Sequence, residues 1–136
     1  MMRVMKTIRV LILEDDLKTL SVIMDALFRL EENMIGQKVD FAVTTFSEYT
    51  QVENYLNIIP EPNFDIILLD RDCKLGGSFH VIDIKKFGAD KFISISSVPE
   101  YNQTATKMGI KRTVHKDYDN LSEFGEKLID EIREML

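Results

Sequence analysis

The sequence predicts an α/β protein: a single five-stranded parallel sheet with helices on both faces. Three observations carry this. Short β-favouring runs alternate with helical stretches along the chain. The strongest runs, 8–13 and 64–69, are almost continuously apolar, as in strands covered on both faces. Each closes on carboxylates, Glu14-Asp15-Asp16 and Asp70, at the strand ends where open α/β sheets bind ligands.

The elements follow in order. Ile8 to Leu13 is the first strand. Leu20, Ile23, Met24, Leu27 and Phe28 then repeat at helical spacing, predicting a helix over Leu17 to Glu32, capped by Asp15 or Asp16 and broken by Gly36. Val39 to Phe46 is β-branched and aromatic, a second strand. Ser47 can cap a second helix to about Asn57, which Pro60 and Pro62 forbid from continuing. After the Asp70 strand, a glycine-bearing loop, 72–77, leads to a third helix from Ser78 to Phe87, stopped by Gly88. Phe92 to Ser96 is the fourth strand, and Pro99 opens a fourth helix ending near Met108, before Gly109. Arg112 to His115 is a short fifth strand. Asn120 and Glu123 form a capping box for a last helix with one apolar stripe, Leu121, Phe124, Leu128, Ile132 and Met135. Right-handed crossovers leave few topologies, and the flavodoxin-like order 2-1-3-4-5 is the commonest for five strands.

At 136 residues the chain is one domain, 1–136, with residues 1–7 read as an N-terminal extension. A net charge of −6 with no dense basic patch disfavours direct nucleic-acid binding. No apolar run is long enough to span a membrane, and the first one ends at Glu14, too early for a signal peptide. The single cysteine, Cys73, cannot form an internal disulfide, which fits a cytoplasmic protein.

Five positions close strands at one edge: Glu14, Asp15, Asp70, Ser96 and Lys116. Clustered carboxylates repel, and Mg²⁺ is the cytosolic cation suited to a few carboxylates, waters and phosphate oxygens. Lys116 adds a compact positive charge and Ser96 a hydroxyl donor. This set suits transfer of a phosphoryl group onto an Asp carboxylate.

In these motifs the sequence resembles the receiver domain of two-component response regulators over essentially its whole length. The matching segments are Val-Leu-Ile-Leu-Glu-Asp-Asp (10–16), Phe-Asp-Ile-Ile-Leu-Leu-Asp (64–70), Ile-Ser-Ile-Ser-Ser (93–97) and Val-His-Lys-Asp (114–117). The resemblance implies that Asp70 is the phosphoacceptor, that Asp15 binds Mg²⁺ directly and Glu14 through water, and that Asp72 gives the metal its backbone carbonyl. It implies that Ser96 and Lys116 contact the phosphoryl group, with Ser97 as the small residue after Ser96. It further implies a sensor histidine kinase as donor and a downstream protein target on the helix 4–strand 5–helix 5 face, with homodimerisation left open. No output domain follows in this chain, and no enzyme activity is expected beyond self-catalysed phosphoryl acceptance and slow autodephosphorylation.

Departures from the family pattern concern the switch and loops. Thr113 stands where Phe or Tyr is usual, Asp117 replaces the commoner proline after the lysine, and Lys74 stands where proline is frequent. Gly76-Gly77 alters the loop register, and the 55 positions from Asp15 to Asp70 are more than usual. Helix 4 has few apolar anchors (Tyr101, Ala105, Met108), which suits a mobile, partner-facing element.

Other polar residues have plainer readings. Asp16 is a helix cap, Cys73 is incidental, and His80 and His115 lack metal-ligand spacing. Asp72 is near enough for its side chain to bear on the lifetime of a phosphoryl group. Two alternatives stand beside the receiver reading. One is a pseudo-receiver that binds partners without phosphorylation. The other is an Asp-x-Asp phosphatase built on Asp70-Arg71-Asp72, which normally needs its motif on the first strand.

Overall fold

The computed structural model describes residues 6–34, 39–59, 63–72 and 84–136. Its centre is three strands: β1 (Lys6–Leu13), β3 (Ile66–Asp70) and β4 (Phe92–Ser96), the last two buried along their whole length. β2 (Val39–Phe46) and β5 (Arg112–His115) are the edges. All neighbours run parallel in the order β2-β1-β3-β4-β5, the predicted topology. β1 begins at Lys6, paired with Val39, so Lys6 and Thr7 belong to the sheet, not to an N-terminal extension.

Side chains alternate across a sheet, and here the alternation divides the core in two. Val10, Ile12, Ile66, Leu68, Ile93 and Ile95 face helices α1 (Leu17–Asn33) and α5 (Leu121–Met135). Leu11, Leu13, Ile67, Leu69 and Phe92 face α2 (Tyr49–Ile58), α3 (Ile84–Phe87) and α4 (Pro99–Lys107). A central strand of β-branched and leucine side chains thus feeds both layers, each buried side chain contributing about 1.5–3 kcal/mol.

The helices start and stop largely where their chemistry directs. Asp16 caps α1, its carboxylate accepting from the Thr19 N–H at 2.9 Å and the Thr19 hydroxyl at 2.6 Å. The buried face of α1 is Ile23, Ala26, Leu27 and Leu30, whereas Met24 and Phe28 of the predicted stripe are exposed. Spacing by three or four positions does not fix the centre of the face, and here it turns toward Ala26 and Leu30. Glu48, not Ser47, precedes α2, without a side-chain cap bond. One position further out, the Ser47 hydroxyl is not at the N-cap position from which a side chain bonds the first turn. Gly88 and Gly109, at the helix stops, both take positive φ, 93° and 103°. In α5 the Asn120 side chain accepts from the Glu123 N–H at 3.2 Å, and its amide donates to the Glu123 carboxylate at 3.0 Å, a capping box closed through the asparagine amide instead of the backbone. The start of the third helix at Ser78, the loop 73–77 with Cys73 and Lys74, His80, Gly36, Pro60 and Pro62 lie outside the described residues.

α4 is pinned by a polar tether. The buried Ser94 hydroxyl donates to Asn102 at 2.9 Å, and the Asn102 amide donates to the Val114 carbonyl at 3.3 Å. Ala105 alone on this helix is buried, while Tyr101 is exposed, in keeping with its sparse apolar anchoring.

α1 and α5 pack closely at Gly125, where an added Cβ would lie 2.9 Å from Val22 Cγ1. Gly125→Val is expected to destabilise the protein by about 2 kcal/mol through overpacking, and Val22→Ala in the same chain to recover most of that loss. Urea unfolding of the single and double variants checks both.

Candidate functional site

Register assembles the site. Leu13 pairs with Leu69, so Glu14, the next residue of β1, arrives level with Asp70. Asp70 pairs with Ile95, and Ser96 with His115. Each ladder runs one bond past its strand: Glu14 N–H to the Phe46 carbonyl, Arg71 N–H to Ile95, and Lys116 N–H to Ser96. Glu14, Asp70, Ser96 and Lys116 therefore meet at the C-terminal edge of the sheet, where the sequence placed them.

The carboxylates of Glu14, Asp70 and Asp72 converge on one ammonium group. Lys116 is fully buried, and its Nζ lies 2.9 Å from Asp70 Oδ1, 3.2 Å from Glu14 Oε1 and 3.7 Å from Asp72 Oδ2. Main-chain donors orient the acids: Asp72 N–H donates to Asp70 Oδ1 at 2.9 Å, and Asp16 N–H to Glu14 Oε2 at 3.1 Å. A carboxylate oxygen from each of Glu14, Asp15 and Asp70 falls within 4.8 Å of the others. That donor set fits a hard divalent cation, which takes carboxylate oxygens and completes its coordination with water. Asp16 serves as the α1 cap, the role its position suggests.

Electrostatics follow the geometry. Burial, then the charge of Asp70, pushes the Glu14 carboxyl up to about 8, against the pull of Lys116. Burial also raises Asp70, opposed by Lys116 and by the Asp72 N–H. Burial works against the charge on Lys116, but Asp70 and Glu14 outweigh it and hold the ammonium above its ordinary range. The site contains one buried cation for two buried acids, so a second cation relieves it.

Two features lay beyond the sequence reading. The Asp72 side chain turns into the site: its carboxylate accepts the Ser96 hydroxyl at 2.5 Å, the Ser97 N–H at 2.7 Å and the Tyr118 hydroxyl at 3.4 Å. Burial raises Asp72, yet the Ser96 and Ser97 donors outweigh it and keep it below the usual carboxylate range, hence ionised. Tyr118 lies over Lys116, the ammonium 4.9 Å from the ring centroid. An aromatic two residues beyond the strand-5 lysine was the available signal for Tyr118; nothing in the sequence marks which way the Asp72 side chain turns.

Thr113 is half-buried beside a shallow groove of about 470 Å³ between α4 and β5, lined also by Pro99, Asn102, Gln103, Thr106 and His115.

No protein-family model matches the sequence, and no curated protein does. Among solved structures, the chain is similar to HP1043, an orphan response regulator of H. pylori, at 20% identity and a TM-score of 0.56, covering 95% of this chain and 96% of that one. It is similar also to the non-phosphorylated HemR receiver domain from Leptospira biflexa, at 22% identity and a TM-score of 0.56, over 92% of this chain and 94% of that one. The chain thus has the fold of a response-regulator receiver domain. No helix among the described residues is long and apolar enough to cross a membrane.

The raised Glu14 carboxyl makes a linkage prediction. Folded protein holds a proton that the unfolded chain releases above the ordinary value of 4.5, so this contribution to stability is lost as pH rises through about 8. With chelator present, Glu14→Gln should be more stable than wild type at about pH 8 by about 1–2 kcal/mol, and the advantage should shrink toward about pH 5. Urea unfolding at both pH values checks the sign, and a pH-independent difference would contradict it.

Proposed function

We propose that this protein is a two-component receiver that accepts a phosphoryl group on Asp70 from a sensor histidine kinase. The observation that carries the reading is the buried Lys116 ammonium bridging Asp70 and Glu14 at the sheet edge, beside a carboxylate cluster suited to a cation. A buried ion pair costs desolvation that its attraction barely offsets, and this one sits at the sheet edge where α/β folds bind ligands.

In the proposed step an Asp70 carboxylate oxygen attacks phosphorus. The P–O bond forms as the P–N bond of a phosphohistidine breaks, and the electron pair leaves on the imidazole nitrogen, which takes up a proton. Lys116, already 2.9 Å from Asp70, orients the nucleophile and meets the incoming negative charge. Ser96 donates its hydroxyl to a phosphoryl oxygen. Glu14, Asp15 and Asp70, with the main-chain carbonyl of Asp72, would hold Mg²⁺. Mg²⁺ would neutralise phosphoryl oxygens and favour in-line transfer. Slow attack of water on phosphorus returns the Asp70 carboxylate and inorganic phosphate, so the protein is a signalling element, not an enzyme acting on other substrates.

Output would be a population shift read by a protein partner on the α4–β5–α5 face. With Thr113 in place of an aromatic, the Ser94–Asn102–Val114 tether is one element linking the site strand to α4. The kinase and partner act in the cytoplasm under this reading.

Incubation with acetyl phosphate and Mg²⁺, followed by intact mass, tests the proposal. Wild type should gain one phosphoryl group, Asp70→Asn none, and Lys116→Met should lose labelling by about 10-fold or more, the scale of a removed transition-state charge contact. Failure of wild type to label with acetyl phosphate and to bind beryllofluoride would favour a partner-binding module that keeps the fold without phosphorylation.

A further inference from the structure

We propose that the Asp72 carboxylate is a built-in stand-in for the phosphoryl group, holding the switch hydroxyl in its engaged position before Asp70 is modified. The inference rests on the phosphoacceptor reading of Asp70 and deepens it. A phosphoryl group on Asp70 presents anionic oxygens to the nearest donors: the Ser96 hydroxyl, the Lys116 ammonium and the neighbouring main-chain N–H groups. In the resting protein an anion already meets that set. Asp72 Oδ1 accepts the Ser96 hydroxyl at 2.5 Å, and Oδ2 accepts the Ser97 N–H at 2.7 Å and lies 3.7 Å from Lys116 Nζ.

The contact is relayed to a helix. Ser96 Oγ, engaged as donor by Asp72, accepts the Val98 N–H at 2.9 Å, and Val98 is the residue before Pro99 at the start of α4. Asp72 thereby holds the β4–α4 connection directly at Ser96 and Ser97, and Val98 indirectly through the Ser96 hydroxyl. Tyr118, from the β5–α5 connection, closes on the same carboxylate and covers Lys116. Residues from the ends of β4 and β5 are held by one acid at the end of β3, two positions beyond the acceptor.

Two consequences follow. Phosphorylation exchanges one anion for another of higher charge at the same donors, so the β4–α4 connection moves little. Asp72 also opposes arrival of the phosphoryl group, because the donors must be released and like charges brought together. Asp72 is a positioning residue in this account, acting through Ser96, Ser97 and Lys116.

The test is amide NMR of wild type, Asp72→Ala and Asp72→Asn, each with and without beryllofluoride and Mg²⁺, with thermal melts to confirm folding. In the resting proteins, Asp72→Ala should shift the Ser97 amide proton upfield as its acceptor disappears, while Asp72→Asn, which keeps an acceptor oxygen, should shift it less. Beryllofluoride should move the Ser97 and Val98 amides little in wild type and much further in Asp72→Ala. Acetyl phosphate labelling should be several-fold faster in both variants. A resting Asp72→Ala spectrum unchanged at Ser97, or equal beryllofluoride shifts in wild type and variant, would overturn the stand-in while leaving Asp70 as acceptor. No response of any amide near Asp70 to beryllofluoride in all three proteins, with no labelling, would instead remove the acceptor reading on which the stand-in rests.

Discussion

A fully buried lysine shared by two buried carboxylates is the constraint around which this protein is arranged. Removing an ammonium group from water costs several kcal/mol, and only close, well-oriented acids offset that. Lys116 finds Asp70 at 2.9 Å and Glu14 at 3.2 Å because the register puts Glu14 level with Asp70 and Lys116 two residues past that level, on the same face. A one-residue slip of the β1–β3 pairing would put Glu14 and Asp70 on opposite faces, and one of the β3–β4 pairing would turn Lys116 away from both. The apolar continuity of β1, β3 and β4 is thus more than core filling: it locks the register that makes the charged centre tolerable.

Rigid and adjustable parts are divided accordingly. Asp70 stands on a strand buried on both faces, so the group proposed to be modified is held by the stiffest part of the sheet. Ser97, Val98 and Tyr118 lie just past the strand ends, on connections whose hydrogen bonds run to side chains. α4 is tied to the sheet by the Asn102 hydrogen bonds and by the buried Ala105, and Thr113 lines a groove beside it.

Much of this was legible in the sequence, for physical reasons. Buried parallel strands are nearly uniform in composition, so Ile66 to Leu69 and Phe92 to Ile95 announce themselves, and the order of alternation restricts the topology. Carboxylates and a lysine at strand ends are conspicuous because such residues are rare beside buried strands. Less legible was anything decided by rotation or by tertiary contact. The apolar stripe of α1 reads equally well with Met24 inside or outside, and packing against α5 settled it. Ser47 has capping chemistry, but the helix begins one residue later than its hydroxyl needs. The turn of the Asp72 side chain toward Ser96 depends on partners 24 and 25 positions away, and no local pattern encodes it.

Under the proposed function, the charged centre lets Asp70, and no neighbouring acid, carry a phosphoryl group. Borohydride trapping tests it most directly, because the reagent reduces an aspartyl phosphate to homoserine and marks the modified position permanently. After treatment with acetyl phosphate and Mg²⁺, peptide mapping should find homoserine at position 70 alone. Homoserine at position 15 or 72, reduction of Glu14, or an unmodified chain under conditions that preserve the fold would contradict the account.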